Sequence, residues 1–294
     1  MPALPPFLRV PPFPGRRASA LASAGPSRPD PAELAAALAK AQVGGTFWGA
    51  QPLLPEGRVT LLAPDSPQQL AEMTAGMPAG PAVVQAPAGW PVPAGMTVVP
   101  TDCDPWWLAR HAHQVRAGAG QELALVAGLL QIPLHVFGNG RFAGCEWDAP
   151  AVAAQVVGEW SYRDPFSGAD WTAHDAIALL GEWRRLIDAN RSIAAVFGVA
   201  RWKRETLDAL LWDGSGPVRH AARVPAGIGP DSQVVAWKTR TAPTALAELA
   251  ARGARVGEVE DGMIRSAGLG ANCVPPLSAI VDFSGVYFDP AGPS

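Results

Sequence analysis

The sequence lacks the residue patterns of metal sites, disulfide frameworks and membrane spans. Its three cysteines, Cys103, Cys145 and Cys273, lie far apart and form no Cys-x-x-Cys pair, so neither a zinc site nor a disulfide framework is supported. His111 and His113 are two residues apart, whereas a helical metal pair needs a spacing of four. From these spacings we expect no metal or other cofactor. Because the chain has no run of 18 apolar residues, we also expect no transmembrane segment.

Strong charge and familiar catalytic motifs are also missing. The formal net charge is only −3, which gives no electrostatic case for a nucleic-acid partner. There is no G-x-S-x-G elbow, no G-x-G-x-x-G and no Walker lysine. The glycine-rich segment 138–144 follows an apolar run, but without these features a plain loop is favoured over a phosphate-binding turn.

Short apolar runs separated by Pro/Gly turns are what the sequence does contain. They predict strands at 58–62, 82–85, 96–99 and 134–137, with helices at 66–73, 105–115 and 122–130 between them. The same alternation returns near the end of the chain, where strands are predicted at 234–237, 256–259 and 279–281. These last strands are expected to be neighbours in a parallel unit. Alternating strands and helices predict an α/β fold with parallel sheets.

The clearest predicted helix covers 172–190 and begins at a capping box formed by Thr172 and Asp175. Helical spacing predicts a buried stripe of Ile177, Leu180, Trp183 and Ile187, and it places Glu182, Arg184, Arg185 and Asp188 in water. A second helix is predicted at 201–211. We therefore expect a Pro/Ala-rich arm and short helix at 1–45, a Rossmann-like lobe at 46–150, a helical bridge at 151–222 and a further lobe at 223–294.

Polar residues are concentrated directly behind the predicted strand 256–259. The segment 260–270 holds an acid pair, Glu260 and Asp261, then Arg265 and Ser266, and three turn glycines, Gly262, Gly268 and Gly270. Ligands bind at the carboxyl ends of strands in parallel sheets, and arginine can hold a carboxylate or phosphate through two hydrogen bonds. The alternative is that Asp261 and Arg265 form a salt bridge that only fixes the loop.

This segment and the one after it resemble a known family, the KpsC-type capsule biosynthesis proteins. The matching residues are Glu260, Asp261, Gly262, Arg265, Ser266, Gly268, Leu269, Gly270, Pro275, Pro276, Leu277, Ser278, Asp282, Gly285, Tyr287, Asp289, Pro293 and Ser294. Segments 164–168 and 200–204 also resemble the part of the family that joins its two transferase modules. The likeness covers about 130–294.

The resemblance implies Rossmann-like lobes of a two-lobed, GT-B-like glycosyltransferase joined by a helical bridge. The implied activity is retaining β-Kdo transfer from CMP-Kdo to a lipid-linked glycan acceptor. The implied substrate-binding set is Glu260, Asp261, Gly262, Arg265, Ser266, Gly268, Gly270, Pro276, Ser278 and Asp282. Within it, Arg265 and Ser266 would hold a carboxylate or phosphate, and Asp261 would orient Arg265.

The sequence also departs from the family pattern. Gln121, Ala124 and Val126 stand where the family has Ser, Gly and Glu, which predicts an eroded nucleotide site in the first lobe. In the family, the catalytic carboxylate follows the block that ends this chain, so we expect no Kdo transfer by the chain alone. A non-catalytic accessory role, or a companion transferase chain that supplies the remaining lobe, therefore stays open. The expected location is the cytoplasm, with peripheral binding to the inner membrane as a variant.

Overall fold

The computed structural model describes residues 6–16, 21–25, 29–140, 147–264 and 274–284. The chain divides into two compact units. Unit 1 comprises residues 1–11 and 18–184, and unit 2 comprises residues 12–17 and 185–294. The sequence-based ranges 46–150, 151–222 and 223–294 stay a prediction about how the family's modules correspond to this chain.

Unit 1 contains a five-stranded parallel sheet and a small antiparallel sheet. Its elements in chain order are β1 (Ala22–Ala24), α1 (Pro31–Ala41), β2 (Val59–Ala63), α2 (Pro67–Thr74), β3 (Ala82–Gln85), β4 (Thr97–Val99), α3 (Pro105–His111), β5 (Ala112–Gly118), α4 (Glu122–Leu129), β6 (Leu134–Phe137), α5 (Ala149–Val157), β7 (Trp160–Arg163) and β8 (Asp170–Trp171). The parallel sheet has the order β4-β3-β2-β5-β6, and β1-β7-β8 form the small sheet. With β2 as the first strand, the parallel order is that of a Rossmann half.

Unit 2 contains a second, mixed sheet. The helix α6 (Ala173–Asn190) leads into it, followed by β9 (Ile193–Phe197), a 3-10 turn (Arg201–Lys203), α7 (Arg204–Leu210), β10 (His220–Ala221), β11 (Gln233–Ala236), a second 3-10 turn (Lys238–Arg240), α8 (Pro243–Ala251), β12 (Arg255–Asp261) and β13 (Ala279–Asp282). The strand order is β10-β9-β11-β12-β13. The predicted fold class, α/β with Rossmann-like units, is confirmed.

The two faces of the second sheet are covered by different helices. Leu207 of α7 packs with Val196 and Val235, whereas Leu249 of α8 packs with Phe197 and Val234 on the other face. The chain therefore leaves β9 and β11 toward opposite faces. In doubly wound sheets this reversal opens a crevice at the carboxyl ends of the two strands, and it is the usual position for a ligand.

The predicted helix at 105–115 is wrong in its second half. α3 ends at His111, Ala112 is already extended with ψ of 141°, and β5 then pairs with β2 and β6 in the middle of the sheet. The expectation that His111 and His113 share one helix fails for the same reason. No glycine or proline separates the two elements, so the sequence carried no boundary signal.

The predicted parallel arrangement of the last strand is also wrong. β11, β12 and β13 are neighbours as expected, but β13 runs antiparallel to β12. The Gly262 amide donates to the Ser278 carbonyl over 2.9 Å, so the chain returns directly beside the strand it has just left. Antiparallel strands can be joined in this way, whereas a parallel pair needs a crossover.

The capping box of α6 is confirmed, but its buried stripe differs from the prediction. Thr172 donates from its backbone amide and its hydroxyl to Asp175. Ile177, Leu180 and Ile187 are buried, whereas Trp183 is only half-buried. Arg184, expected in water, is 5% exposed because its guanidinium pairs with the buried Asp104 carboxylate at 2.6 Å.

The N-terminal arm contributes to both units. Leu8 and Leu21 are fully buried in unit 1. In unit 2, the Phe13 ring meets the Trp212 ring edge-on at a centroid distance of 5.2 Å, and the Arg16 guanidinium donates to the Glu205 carbonyl over 3.3 Å.

Candidate functional site

The carboxyl ends of β9, β11 and β12 bring together two of the segments that carry the family resemblance. Lys203, in the turn after β9, donates to both carboxylate oxygens of Asp261 at 2.8 Å. Its ammonium lies 3.6 Å from the centre of the Trp237 ring. Because β11 lies between β9 and β12, the Lys203 side chain crosses the residue that follows β11 to reach the end of β12. A buried cation therefore fixes the start of segment 260–270.

The acidic motif is joined to the Pro-Pro-Leu-Ser motif at Gly262 and Ser278. A Cβ at Gly262 would lie 2.3 Å from the Ser278 hydroxyl oxygen, so only glycine allows this approach. The Ser278 hydroxyl donates to the Ile264 carbonyl over 2.8 Å and accepts from the Ile264 amide over 3.1 Å. Pro276, two residues before Ser278 in the sequence, is buried. The two motifs thus close the loop between them at its base.

A second pair of acidic residues, Glu258 and Asp282, lies on the adjacent strands β12 and β13. Glu258 is directly opposite Asp282 in the register of the two strands. Like charges in such a pair repel, and the Lys238 ammonium, 2.7 Å from the Glu258 carboxylate, offsets this. Asp282 also accepts from the Ser284 amide over 2.6 Å. Glu260 lies between Glu258 and Asp261 on β12 and is half-buried.

The structure therefore assembles part of the predicted set. Asp261, Gly262 and Ser278 are held by direct contacts, and Glu260, Pro276 and Asp282 lie on the same strands or at their ends. Arg265, Ser266, Gly268 and Gly270 lie outside the described residues, so their roles stay predictions. Across the described ranges, 6–16 through 274–284 with their gaps, no group of three or more His, Cys, Asp or Glu residues could hold a metal ion.

A crevice that the sequence did not predict lies at the reversal point between β9 and β11. This cavity of about 460 Å³ is lined by Arg204, His220 and Arg240, together with small and apolar residues of 196–200, 221–222 and 241–242. Lys203 and Arg204 lie within segment 200–204, which resembles the family, but Gly198 is the residue that points directly to a strand end at this place. It is a glycine directly after an apolar run, which would have marked the end of a strand had 193–197 been assigned as one.

Gly198, in the wall of the crevice, lets the end of β9 approach the turn after β11 closely. Its φ is +72°, and an added Cβ would lie 2.5 Å from the Thr241 hydroxyl and 2.6 Å from the Trp237 carbonyl. The Thr241 hydroxyl donates to that same carbonyl over 2.8 Å. A side chain at position 198 would therefore displace the turn that precedes α8.

The corresponding reversal point of unit 1 lies between β2 and β5, and a carboxylate occupies it. A Cβ at Gly118 would lie 1.9 Å from an oxygen of Asp65. The same carboxylate accepts a hydrogen bond from the side-chain amide of Gln121 over 2.6 Å. Ala124 and Val126 are fully buried within α4, so neither side chain faces a ligand. An acidic side chain at this point opposes the binding of a phosphate group.

The two Rossmann-like units define a doubly wound α/β protein. A carboxylate fills the reversal point of unit 1, whereas that of unit 2 is an open crevice. No protein-family model matches the chain. The chain is 32% identical over 132 residues to the lipopolysaccharide-processing protein LpsZ of Rhizobium meliloti, covering 41% of this chain and 29% of that protein. It is 31% identical over 140 residues to the capsule polysaccharide modification protein LipA of Neisseria meningitidis serogroup A, covering 45% of this chain and 19% of LipA. The serogroup B LipA gives the same values.

These matches confirm the resemblance to KpsC-type capsule proteins for a partial segment of the chain. The chain spans less than a third of the length of the curated relatives that it matches. Among solved structures, the β-Kdo 2,4-transferase KpsC of Thermosulfurimonas dismutans matches with a TM-score of 0.44 and 14% identity, over 51% of this chain and 61% of that one. Within the part of the chain that the structure describes, no helix is long and apolar enough to cross a membrane.

Proposed function

We propose that this chain acts in capsular polysaccharide biosynthesis and that unit 2 forms part of a β-Kdo transferase module. The donor would be CMP-Kdo and the acceptor a lipid-linked glycan. One observation carries this proposal: the family-like segments, distant in sequence, meet at the carboxyl edge of one sheet through the Lys203–Asp261 and Gly262–Ser278 contacts. The names of the relatives, which are capsule and lipopolysaccharide proteins, support the same area of metabolism.

In this proposal, Arg265 and Ser266 bind the carboxylate or phosphate of the substrate. Asp261 gives the loop a fixed starting point, because Lys203 engages both of its oxygens at 2.8 Å. A carboxylate has about four acceptor positions, so Asp261 can accept from Lys203 and still orient Arg265. The cytoplasmic face of the inner membrane, where a lipid-linked acceptor would be met, is the proposed location.

A non-catalytic accessory role is the second candidate, and the reversal point of unit 1 favours it. The Asp65 carboxylate packs against Gly118, so a nucleotide phosphate would meet negative charge and no free space there. An accessory chain would bind the glycan or a companion transferase and leave the transfer step to that partner.

Deletion of the encoding gene tests the capsule assignment. We expect the deleted strain to lose Kdo from its capsule fraction, measured by mass spectrometry after mild acid release, and to regain it with a plasmid copy. Complementation with an Asp261→Asn copy should restore less Kdo than a Glu248→Gln copy, since Glu248 lies on the exposed side of α8 away from the motifs. Unchanged Kdo in the deleted strain would refute the proposal.

A turnover assay separates the two candidates. The purified chain is mixed with CMP-Kdo and a Kdo-primed glycan, alone and with a lysate of the deleted strain. CMP release by the chain alone would support an enzyme. Release that needs both the chain and the lysate would support the accessory role.

A further inference from the structure

The crevice at the carboxyl ends of β9 and β11 carries an inference that does not depend on Kdo chemistry. Its lining contains Arg204, His220 and Arg240 and, among the described residues that form it, no acidic residue. Arg204 and Arg240 are exposed, and within the described part of the chain neither guanidinium pairs with a carboxylate. Two unneutralised guanidinium groups at one cavity create a local positive potential, although the whole chain carries a net charge of −3.

The third basic residue, His220, is held in place by a hydrogen bond to a neighbouring carboxylate. His220 Nε2 lies 2.6 Å from a carboxylate oxygen of Asp208, which fixes the ring orientation. Its Nδ1 is buried and has no hydrogen-bond partner among the described residues. Buried polar atoms in proteins are nearly always hydrogen-bonded, but this nitrogen is closed off from solvent, so a ligand in the open cavity would not reach it directly.

The size and position of the cavity fit a small organic ligand. Its volume of about 460 Å³ lies within the range of about 300–1,000 Å³ found for small-molecule pockets. The nine-residue helix α8 begins at its rim, and its first residues have no side-chain cap, so the positive end of the helix dipole adds to the two arginines.

We propose that this crevice binds a sugar-sized ligand through an anionic group, a carboxylate or a phosphate, with Arg204 and Arg240 as its charged contacts and His220 as part of the cavity wall. A guanidinium binds either anion through two parallel hydrogen bonds. Gly198 allows the cavity wall to form as it does, since any side chain there would clash with Thr241 and the Trp237 carbonyl.

Isothermal titration of the full chain with three probes tests this proposal. The probes are glucose 1-phosphate, glucuronate and, as a neutral control, glucose. We expect at least one anionic probe to bind and glucose not to bind. Tighter binding of glucose 1-phosphate assigns the site to phosphate, and tighter binding of glucuronate assigns it to carboxylate. The affinity should fall with added salt, because the attraction is between charges near the surface.

Matched variants locate the binding. Arg240→Gln should weaken binding about tenfold or more, the usual loss for a hydrogen bond to a charged group. Arg219→Gln removes the same charge next to His220 in sequence but outside the cavity lining, so it should change the affinity less than twofold. Circular dichroism should show both variants folded. Equal binding of glucose, absence of binding by both anions, or an equal loss in Arg219→Gln would overturn the proposal.

Discussion

The Lys203–Asp261 pair predicts an unequal cost for removing its two members. The Lys203 side chain is 7% exposed and that of Asp261 is 26% exposed. Asp261→Asn removes the charge that neutralises this largely buried ammonium, although the asparagine oxygen can still accept one hydrogen bond. Breaking buried pairs costs about 3–5 kcal/mol. The Trp237 ring still faces the ammonium at 3.6 Å and offsets about 1 kcal/mol of that cost. We therefore expect Asp261→Asn to lower the free energy of unfolding of unit 2 by about 2–4 kcal/mol.

Lys203→Met should cost less, about 1–2 kcal/mol, because the remaining carboxylate can turn toward water and the methionine stem fills most of the lysine's volume. The double variant should lose less than the sum of the two single variants, with a coupling of about 1–3 kcal/mol.

Urea unfolding followed by circular dichroism measures these differences. Glu248→Gln is the control in the same unit, since its exposed pair with Arg252 on α8 should be worth less than about 0.5 kcal/mol. A larger loss in Lys203→Met than in Asp261→Asn would refute the argument from burial. Additive losses would show that the two side chains do not act as a pair.

Three further predictions follow from single positions. Cys103 should resist iodoacetamide at pH 8 in the folded chain and react in urea, as read by peptide mass spectrometry, because burial raises the pKa of its thiol to about 12; rapid labelling of the folded chain would contradict this. Gly262→Ala should cost about 1–3 kcal/mol through its clash with Ser278, whereas Gly216→Ala, which opens onto free space, should be neutral in urea unfolding. Hydrogen bonds from the capping box lower the pKa of Asp175 in the folded chain. The stability that its carboxylate contributes is therefore fully present above the unfolded pKa of about 3.9. It is lost as the pH falls through the lower pKa of the folded state. Asp175→Asn should therefore flatten the fall in melting temperature below about pH 4, and an unchanged profile would count against the cap.

Local patterns were enough for elements with clear boundaries. The apolar runs that became β3 and β6 are short and flanked by turn residues, and the strand assignments there match the structure. β9 was missed because Ile193-Ala194-Ala195-Val196-Phe197 is alanine-rich and follows a long helix. Its strand conformation comes from parallel pairing with β10 and β11 on both sides, which no local pattern encodes.

The candidate site shows the same division. The segment that begins at Glu260 could be found because its polar residues follow a predicted strand. Lys203 could not, since a lysine in a short basic run normally faces water. Its burial depends on Trp237 and Asp261, which lie 34 and 58 positions further along the chain. The crevice lies between β9 and β11. Because β9 was not predicted, the reversal point between these strands could not be predicted either.

The path of the N-terminal arm has a practical consequence for anyone dividing this protein. Residues 12–17 belong to unit 2, whereas the residues on either side of them belong to unit 1. A fragment that starts at residue 185 would lack Phe13 and expose the part of the Trp212 ring that Phe13 covers. Expression of unit 2 alone therefore calls for two polypeptides, a short N-terminal peptide and the C-terminal fragment, or for a circular permutant that joins them.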